Sequence, residues 1–365
     1  MIKYDFIIIG GGIIGMTTAR ELAVRGASVA LIEKNTLGKE ASWAAGGILS
    51  SMRPWSENSA SAELSEHGKS YYPHFIKSLT DEVGIDPEYV KSGLVIIEAK
   101  HVNDINYWAR SKCIKVIGKI ENLSADITLP DHAVLLPEIA QIRPPRLLVA
   151  LRESLKKMSV SLYENTTINK FVMNAGRCEQ VEYKGGKLSA DSVIITAGAW
   201  SKLVLGDKYV DMNFKPIHGQ MICVKPIESV LRTIILDGGH YLIPRQDGHV
   251  LIGSTVEDIG FDKKTTLTAQ LELQSWAVSV WPKLKNATLV KHWSGLRPST
   301  DTEKPFIGLV PNFKNLYFNT GHFRKGILQG PSSALLLADM FSGDFSFMEI
   351  DEFSLRRQIN AAEIA

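Results

Sequence analysis

The chain has 365 residues, 45% of them hydrophobic and 22% charged, an ordinary globular composition that excludes disordered, fibrous and membrane-embedded classes and leads us to expect one large or two interleaved domains. Lysine and arginine number 41 against 39 aspartates and glutamates, a net charge of +2 with the signs mixed along the chain, so nucleic acid is not an expected partner. The three cysteines, Cys113, Cys178 and Cys223, are far apart and lack CxxC spacing; they read as reduced thiols of a cytoplasmic protein.

The opening segment, MIKYDFIIIGGGIIG, is apolar but broken by glycine and lacks the small-residue cleavage site of an export signal. It is expected to be a strand over 5–9. No later run approaches the roughly 18 apolar residues that span a bilayer, and a soluble protein is expected. After the glycines, 16–25 reads as a helix ending at Gly26, and VALIEK as a second strand, which together form a βαβ unit of a parallel sheet. Residues 144–158 begin with prolines suited to a first helical turn and carry apolar residues at helical spacing. SLYENTTI and DSVIITAGAW (191–200) are expected strands of the same parallel sheet. Between these pieces GLVIIEA (93–99), HGQMICVKP (218–226) and HYLIPRQDGHVLIGST (240–255) have antiparallel texture. Asp247-Gly248 predicts a tight primed hairpin turn, with Tyr241 and Arg245 on that hairpin. NLYFNTG returns as a strand and is followed by a helix from about Ile327.

Gly10-Gly11-Gly12-Ile13-Ile14-Gly15 fits G-x-G-x-x-G directly between a strand and a helix, which is the context the motif requires. Gly10 permits the tight turn, Gly12 lets backbone approach a pyrophosphate, and Gly15 allows close helix-on-sheet packing, with the helix N-terminus facing the phosphates. Glu33 ends the second strand where a carboxylate accepts from ribose hydroxyls and repels a 2′-phosphate. The pattern therefore points to FAD or NAD rather than NADP, with Lys34 on the same wall. Residues 38–50, GKEASWAAGGILS, favour FAD, whose extended pyrophosphate and ribityl chain needs small side chains and free backbone N–H groups. Ala41, Ser42, Gly46, Gly47 and Ile48 are the candidates there.

These motifs, with TAGAWS, GQMICVKP, HWSGLRP and GHFRKGIL in the same order, resemble the D-amino acid oxidase family of flavoproteins over nearly the whole chain, and within it the branch that oxidises glycine. The resemblance implies an α/β fold: an FAD-binding, Rossmann-like domain of the glutathione-reductase type and an interleaved α+β substrate domain built on an antiparallel sheet. The expected division is 1–84, 136–212 and 301–365 for the FAD domain and 85–135 and 213–300 for the substrate domain. It further implies hydride transfer from a small amino acid to flavin N5, with imine, glyoxylate, ammonia and hydrogen peroxide as products, service to thiamine biosynthesis, and a homotetramer. By the same resemblance His322, Phe323, Arg324, Lys325, Gly326, Ile327 and Leu328 wrap the flavin, Ile168 contacts the adenine through its backbone, and Tyr241, Arg297 and Arg324 hold the substrate. The chain departs from the family pattern at Ser299-Thr300, where Gly-Thr is frequent, at Lys325, where the glycine-oxidising branch has asparagine, and at Gly239, where it has histidine.

The residue types suit that chemistry. Oxidising an amine at carbon needs a fixed carboxylate and an aimed α-hydrogen rather than an activated nucleophile. Arg297 can grip a carboxylate with two parallel N–H bonds, Tyr241 can add a hydroxyl, and Arg324 lies just before a helix whose dipole has the same sign. His218, His240, His292 and His322 lack metal-ligand spacing, so no metal and no histidine base is expected. No cysteine lies near Arg297 or ASWAAGG, so the FAD is expected to be non-covalent. The same residues would serve a D-amino acid or sarcosine oxidase or dehydrogenase. A flavin-binding subunit without turnover is a further alternative, which would have no use for a carboxylate clamp.

Overall fold

In the computed structural model, which describes residues 2–57, 59–112, 114, 115, 127, 129–206, 214–227 and 230–354, the apolar N-terminal run is strand β1 (Lys3–Ile9), with Ile7, Ile8 and Ile9 buried. Burial on both faces marks a parallel strand covered on each side. β1 lies between β2 (Val29–Ile32) and β8 (Gly186–Ile195), parallel to both. β5 (Ser161–Tyr163) adds beside β2 and β15 (Leu316–Thr320) beside β8, again parallel, and β14 (Phe306–Leu309) pairs antiparallel with β15. An antiparallel arm, β6 (Ile168–Asn174) and β7 (Arg177–Tyr183), joins the first half of β8.

One face of this sheet buries α1 (Ile13–Val24), α3 (Ser59–Val83), α5 (Pro144–Lys157) and α8 (Gly326–Ser342) in a common core. The other face packs Phe171, Cys178 and Val181 of the arm against Ile7, Ile9 and Val193. The stretch read as one strand over SLYENTTI is broken: β5 stops at Tyr163, Asn165 takes φ +52°, and the chain restarts as β6 in the arm.

The second sheet has the order β13–β9–β12–β11–β10–β3–β4. Its strands are β3 (Leu94–Ile96), β4 (Val134–Leu136), β9 (Phe214–Lys225), β10 (Ile234–Asp237), β11 (His240–Pro244), β12 (Val250–Gly253) and β13 (Thr288–Thr300). It is antiparallel except that β3 runs parallel to β10. β3 reaches the sheet after α3 rather than through a hairpin, so nothing obliges it to reverse direction.

The hairpin between β11 and β12 differs from the primed turn expected. Arg245 N donates to His249 O at 2.8 Å and Gly248 N to Arg245 O at 2.9 Å. Only Gly248 has positive φ, +76°. A type I turn followed by a left-handed glycine closes a three-residue loop, so Asp247 needs no strained backbone.

Several elements were not anticipated. α3 carries Gly68 and Pro73 inside a 25-residue helix, two residues that ordinarily argue against one. Gly68 is required by packing, since a Cβ there would lie 2.5 Å from Leu328 O. α7 (Leu267–Val280), β10 and the β6–β7 arm also went unread. The expected boundary at 212/213 and Cys113 lie outside the described residues, whereas Cys178 and Cys223 are buried free thiols. Among the described residues, no helix is long and apolar enough to cross a membrane.

The packing of α3 on α8 repairs a specific defect. Pro331 sits inside α8 and has no N–H to give the carbonyl of Ile327 four residues earlier. The fully buried Tyr72 hydroxyl of α3 donates to that carbonyl at 2.8 Å. Tyr72→Phe is expected to lower the unfolding free energy by about 1 kcal/mol, read from urea denaturation of the apoprotein, and an unchanged midpoint would show that the carbonyl finds another donor.

Candidate active site

The glycine turn between β1 and α1 is set by close backbone approach. Gly10 has φ +113°, and a Cβ on it would lie 2.6 Å from Thr196 O. A Cβ on Gly15 would lie 1.9 Å from Gly10 O. Thr196 Oγ1 donates to Gly10 O at 2.7 Å, which locks the turn to the end of β8. The first turn of α1 is partly capped from within, with Ile13 N donating to Ser42 Oγ at 2.9 Å and Gly11 N to Glu33 Oε2 at 2.7 Å. The N–H groups of Gly12 and Ile14, both on the cleft wall, donate to no acceptor among the described residues, so the helix presents donors to an anion. Glu33 Oε1 also accepts from Asn35 N at 2.9 Å. A carboxylate has four acceptor positions, so each oxygen of Glu33 keeps one for a ribose hydroxyl.

From this turn a cleft of about 690 Å³ runs between the two sheets. Its middle is walled by the small-residue segment, which contains the short helix α2 (Ala41–Ala44). The second sheet holds this segment in place. Trp293 Nε1 donates to Ala44 O at 3.2 Å, a Cβ on Gly295 would lie 2.7 Å from Ala44 Cβ, and Arg245 Nη2 donates to Gly46 O at 2.7 Å. Arg245 also donates to Gln141 Oε1 and Ile142 O, and burial lowers its pKa to about 10. Every hydrogen bond it makes goes to a neutral oxygen, so it is a structural cation joining the sheets.

At the far end of the cleft stand Tyr241 on β11 and Arg297 on β13. Arg297 Nη1 donates to His218 O at 3.3 Å and Thr255 O at 3.2 Å, and Nη2 donates to Ser254 Oγ at 2.7 Å. A guanidinium has five N–H groups. The Nε–H and one Nη2–H of Arg297 are therefore left for the neighbouring Tyr241 hydroxyl, which favours its charged form, and for a ligand, and no described carboxylate pairs with it. Burial holds its pKa below the ordinary arginine value, opposed by Tyr241 and Glu257. Glycines make room for both side chains: a Cβ on Gly219 would meet the Arg297 guanidinium at 2.1–2.4 Å, and one on Gly253 the Tyr241 ring at 2.6–2.9 Å. Tyr241 OH lies 3.6 Å from Met221 Sδ, a weak contact that leaves the hydroxyl available. Arg324, in the loop before α8, is exposed and stacks on Phe323 at 5.3 Å, with no hydrogen bond or ion pair among the described residues. The two guanidiniums, neither paired with a carboxylate among the described residues, thus line one cleft.

His322 lies on the same wall, almost fully buried, and neither ring nitrogen has a hydrogen-bond partner. Burial, helped by the charge of Lys325, pushes its pKa down to about 3, so the imidazole is neutral. Orphaned buried nitrogens ask for a polar ligand. Together with the glycine turn, the free amides and Glu33, they fit the polar groups of a bound FAD. Lys325 donates to Glu57 Oε1 and Ser61 Oγ, each at 2.7 Å.

Of the residues assigned from sequence, Gly10, Gly12, Ile13, Ile14, Glu33, Lys34, Ala41, Ser42, Gly46, Gly47, Ile48, Ile168, Tyr241, Arg297 and 322–327 line this cleft. Gly15 packs under the turn and Leu328 is buried in the α8 core rather than facing the cleft. Gly219, Ser254 and Thr196 went unread. Each lies in a motif already noticed, but only the fold shows which side chain it touches. Among the described residues no group of histidine, cysteine, aspartate and glutamate could hold a metal ion.

Residues 5–340 match the model of the family described as DAO, FAD dependent oxidoreductase. The chain is 38% identical over 344 residues to the glycine oxidase of Pseudomonas aeruginosa, covering 92% of this chain and 94% of that protein. It is 28% identical to the bifunctional protein ThiO/ThiG of Trichormus variabilis, over 92% of this chain and 52% of that protein. The crystal structure of glycine oxidase from Geobacillus kaustophilus superposes with a TM-score of 0.89 at 27% identity, covering 97% of this chain and 99% of that one.

Because a Cβ on Gly219 would collide with the guanidinium, Gly219→Ala is expected to displace Arg297 and weaken the binding of a small carboxylate by about tenfold or more, measured by titration of the cofactor-loaded protein. Unaltered affinity would show that Arg297 is free to move aside. Gly15→Ala is expected to abolish cofactor retention on purification.

Proposed function

The chain belongs to the DAO family of FAD-dependent oxidoreductases, and from that premise we propose that it oxidises glycine, with sarcosine and D-alanine as secondary substrates. The observation that carries this reading is the buried Arg297, unpaired with any described carboxylate and seated beside Tyr241 on the wall of the cofactor cleft. It is supported by the glycine oxidase of Pseudomonas aeruginosa at 38% identity.

In this reading Gly10–Gly15, Glu33 and the segment around Ser42 and Gly46 would hold the nucleotide half of FAD, Ile168 its adenine end and residues 322–327 its ring. Bound FAD would supply a hydride acceptor, with oxygen as the terminal oxidant taking the electron pair and two protons, one from solvent, as hydrogen peroxide. The chain supplies position. Arg297 takes the carboxylate on its remaining N–H groups, Tyr241 adds its hydroxyl, and Arg324 at the mouth draws the anion in. The carboxylates on the cleft wall are Glu33 at the nucleotide end and Glu40, which is paired with Lys263 at 3.0 Å. His322 is neutral. The amine proton accordingly goes to water, and water hydrolyses the imine to glyoxylate and ammonia.

We propose the two sheets as the cofactor and substrate domains, with boundaries at 84/85, 135/136, 212/213 and 300/301. The ThiO/ThiG relative supports a place in thiamine biosynthesis. A homotetramer in the cytoplasm rests on the family resemblance.

Adding glycine to the anaerobic yellow protein is expected to bleach its visible band, with peroxide formed on readmitting air. A band that glycine, sarcosine and D-alanine all leave intact would overturn the substrate assignment. Arg297→Ala is expected to raise the KM for glycine about 100-fold, the ratio for losing about 3 kcal/mol of charge-assisted hydrogen bonding, with FAD retained. A KM near that of the parent would remove Arg297 from the clamp.

A further inference from the structure

Arg297 is held by oxygens that belong to two separate segments. His218 O comes from β9, whereas Ser254 Oγ and Thr255 O come from the chain just after β12. That second segment leaves β12 at Ser254 but stays beside β9, with Thr255 N donating to Gln220 O at 3.3 Å. A side-chain network reinforces this thinner backbone pairing. Glu257 forms an isolated antiparallel bridge with His218, through His218 N to Glu257 O at 2.9 Å and Glu257 N to His218 O at 3.0 Å. The Glu257 carboxylate folds back so that Oε1 accepts from Thr255 Oγ1 and, at 3.0 Å, from Gln220 Nε2. His218 Nδ1 lies 3.3 Å from the same oxygen. Thr255 Oγ1 in turn accepts from Gln220 N at 2.9 Å. Gln220 is fully buried and donates and accepts with Thr266, the N-cap of α7.

The three groups that converge on Glu257 Oε1 come from residues on both sides of the guanidinium. Thr255 carries one carbonyl that holds Arg297, His218 carries the other, and Gln220 follows Gly219, over which the guanidinium lies. Glu257 itself is about 30% exposed, is absent from the cleft wall and makes no hydrogen bond to Arg297. Its charge attracts Arg297 through space, and its contacts reach the site through the atoms it holds; Glu257→Gln removes the first and keeps the second.

We propose that Glu257 is a positioning residue for the carboxylate clamp, fixing residues 254–257 against β9 so that Arg297 is presented with its remaining N–H groups toward the substrate. The inference rests on reading Arg297 as the clamp. Without the carboxylate, Thr255 keeps only its direct bonds to the Gln220 backbone and loses the bridge to the Gln220 side chain and to the His218 ring, so the acceptors of Arg297 are held less firmly and the guanidinium turns from the substrate position.

The test uses the FAD-loaded full chain with two readouts: steady-state oxidation of glycine, and the perturbation of the flavin spectrum by acetate, an unreactive carboxylate. Glu257→Ala is expected to raise the KM for glycine and the Kd for acetate together by about tenfold, with kcat within about twofold and FAD content unchanged. Glu257→Gln, whose amide oxygen still accepts from Thr255 and Gln220, is expected to restore both to within about twofold of the parent. Thr255→Val, which breaks the same link from the other side, is expected to shift both constants in the same direction and serves where Glu257→Ala fails to fold. Parent-like acetate binding in Glu257→Ala, or in Thr255→Val where that variant stands in, overturns the proposal. A parent protein that neither binds acetate nor oxidises glycine overturns the clamp reading itself.

Discussion

A guanidinium taken out of water and left without a carboxylate is tolerated only where neutral oxygens receive its N–H groups. At Arg297 that constraint shapes the end of the second sheet. Two carbonyls and one hydroxyl take three donors, and Gly219 and Gly253 give up side chains so that Arg297 and Tyr241 can lie flat on neighbouring strands. Burial lowers the arginine's pKa, the direction expected of a cation with incomplete compensation. A carboxylate bound there, as proposed, would supply the missing charge at a site already arranged, with little reorganisation to oppose binding.

The opposite end of the cleft obeys a steric rule instead. Gly10, Gly15 and Thr196 bring three backbone segments so close that no Cβ fits at either glycine, and the first turn of α1 is thereby aimed at the phosphates with its amides partly unspent. The two ends are kept in register by the middle. Arg245 reaches from the hairpin to Gly46 O, and Trp293 reaches from β13 to Ala44 O. The small residues of 38–50 therefore satisfy two demands at once, close approach of a long cofactor on one side and of the second sheet on the other.

This double demand explains what was legible in the sequence. The G-x-G-x-x-G turn could be read because its geometry depends only on local backbone, and the parallel strands because their apolar runs are continuous. Arg297 was legible through a family motif, and its surroundings were not, because Gly219, Ser254 and Thr255 are distant in sequence and meet only in the folded sheet. α3 escaped for a related reason: Gly68 and Pro73 weaken any local case for a helix, whereas contact with α8, through Leu328 O and the Tyr72 hydroxyl, makes that helix necessary. The Asp247-Gly248 pair announced a hairpin correctly but not its type, since loop length is set by the register of β11 and β12.

The departures from the family pattern can be weighed by the same chemistry. Lys325 brings a positive charge to the cofactor wall together with its own neutralising group, since Glu57 and Ser61 receive it in a buried pair whose side chains are 11% and 6% exposed. Glu57 offsets most of that charge, and what remains adds to burial in keeping His322 neutral. Ser299, which stands where glycine is frequent, is buried and donates its hydroxyl to Thr300 O at 3.4 Å, so its added polar group is satisfied locally. At Gly239 nothing lies within 4 Å of a would-be Cβ, so no packing demand explains the absence of a side chain. Two departures are thus compensated within their own neighbourhoods and one leaves open space, and in none of them does a side chain touch the oxygens that hold Arg297. The hydrogen bonds that hold Arg297 are insulated from the changes around it.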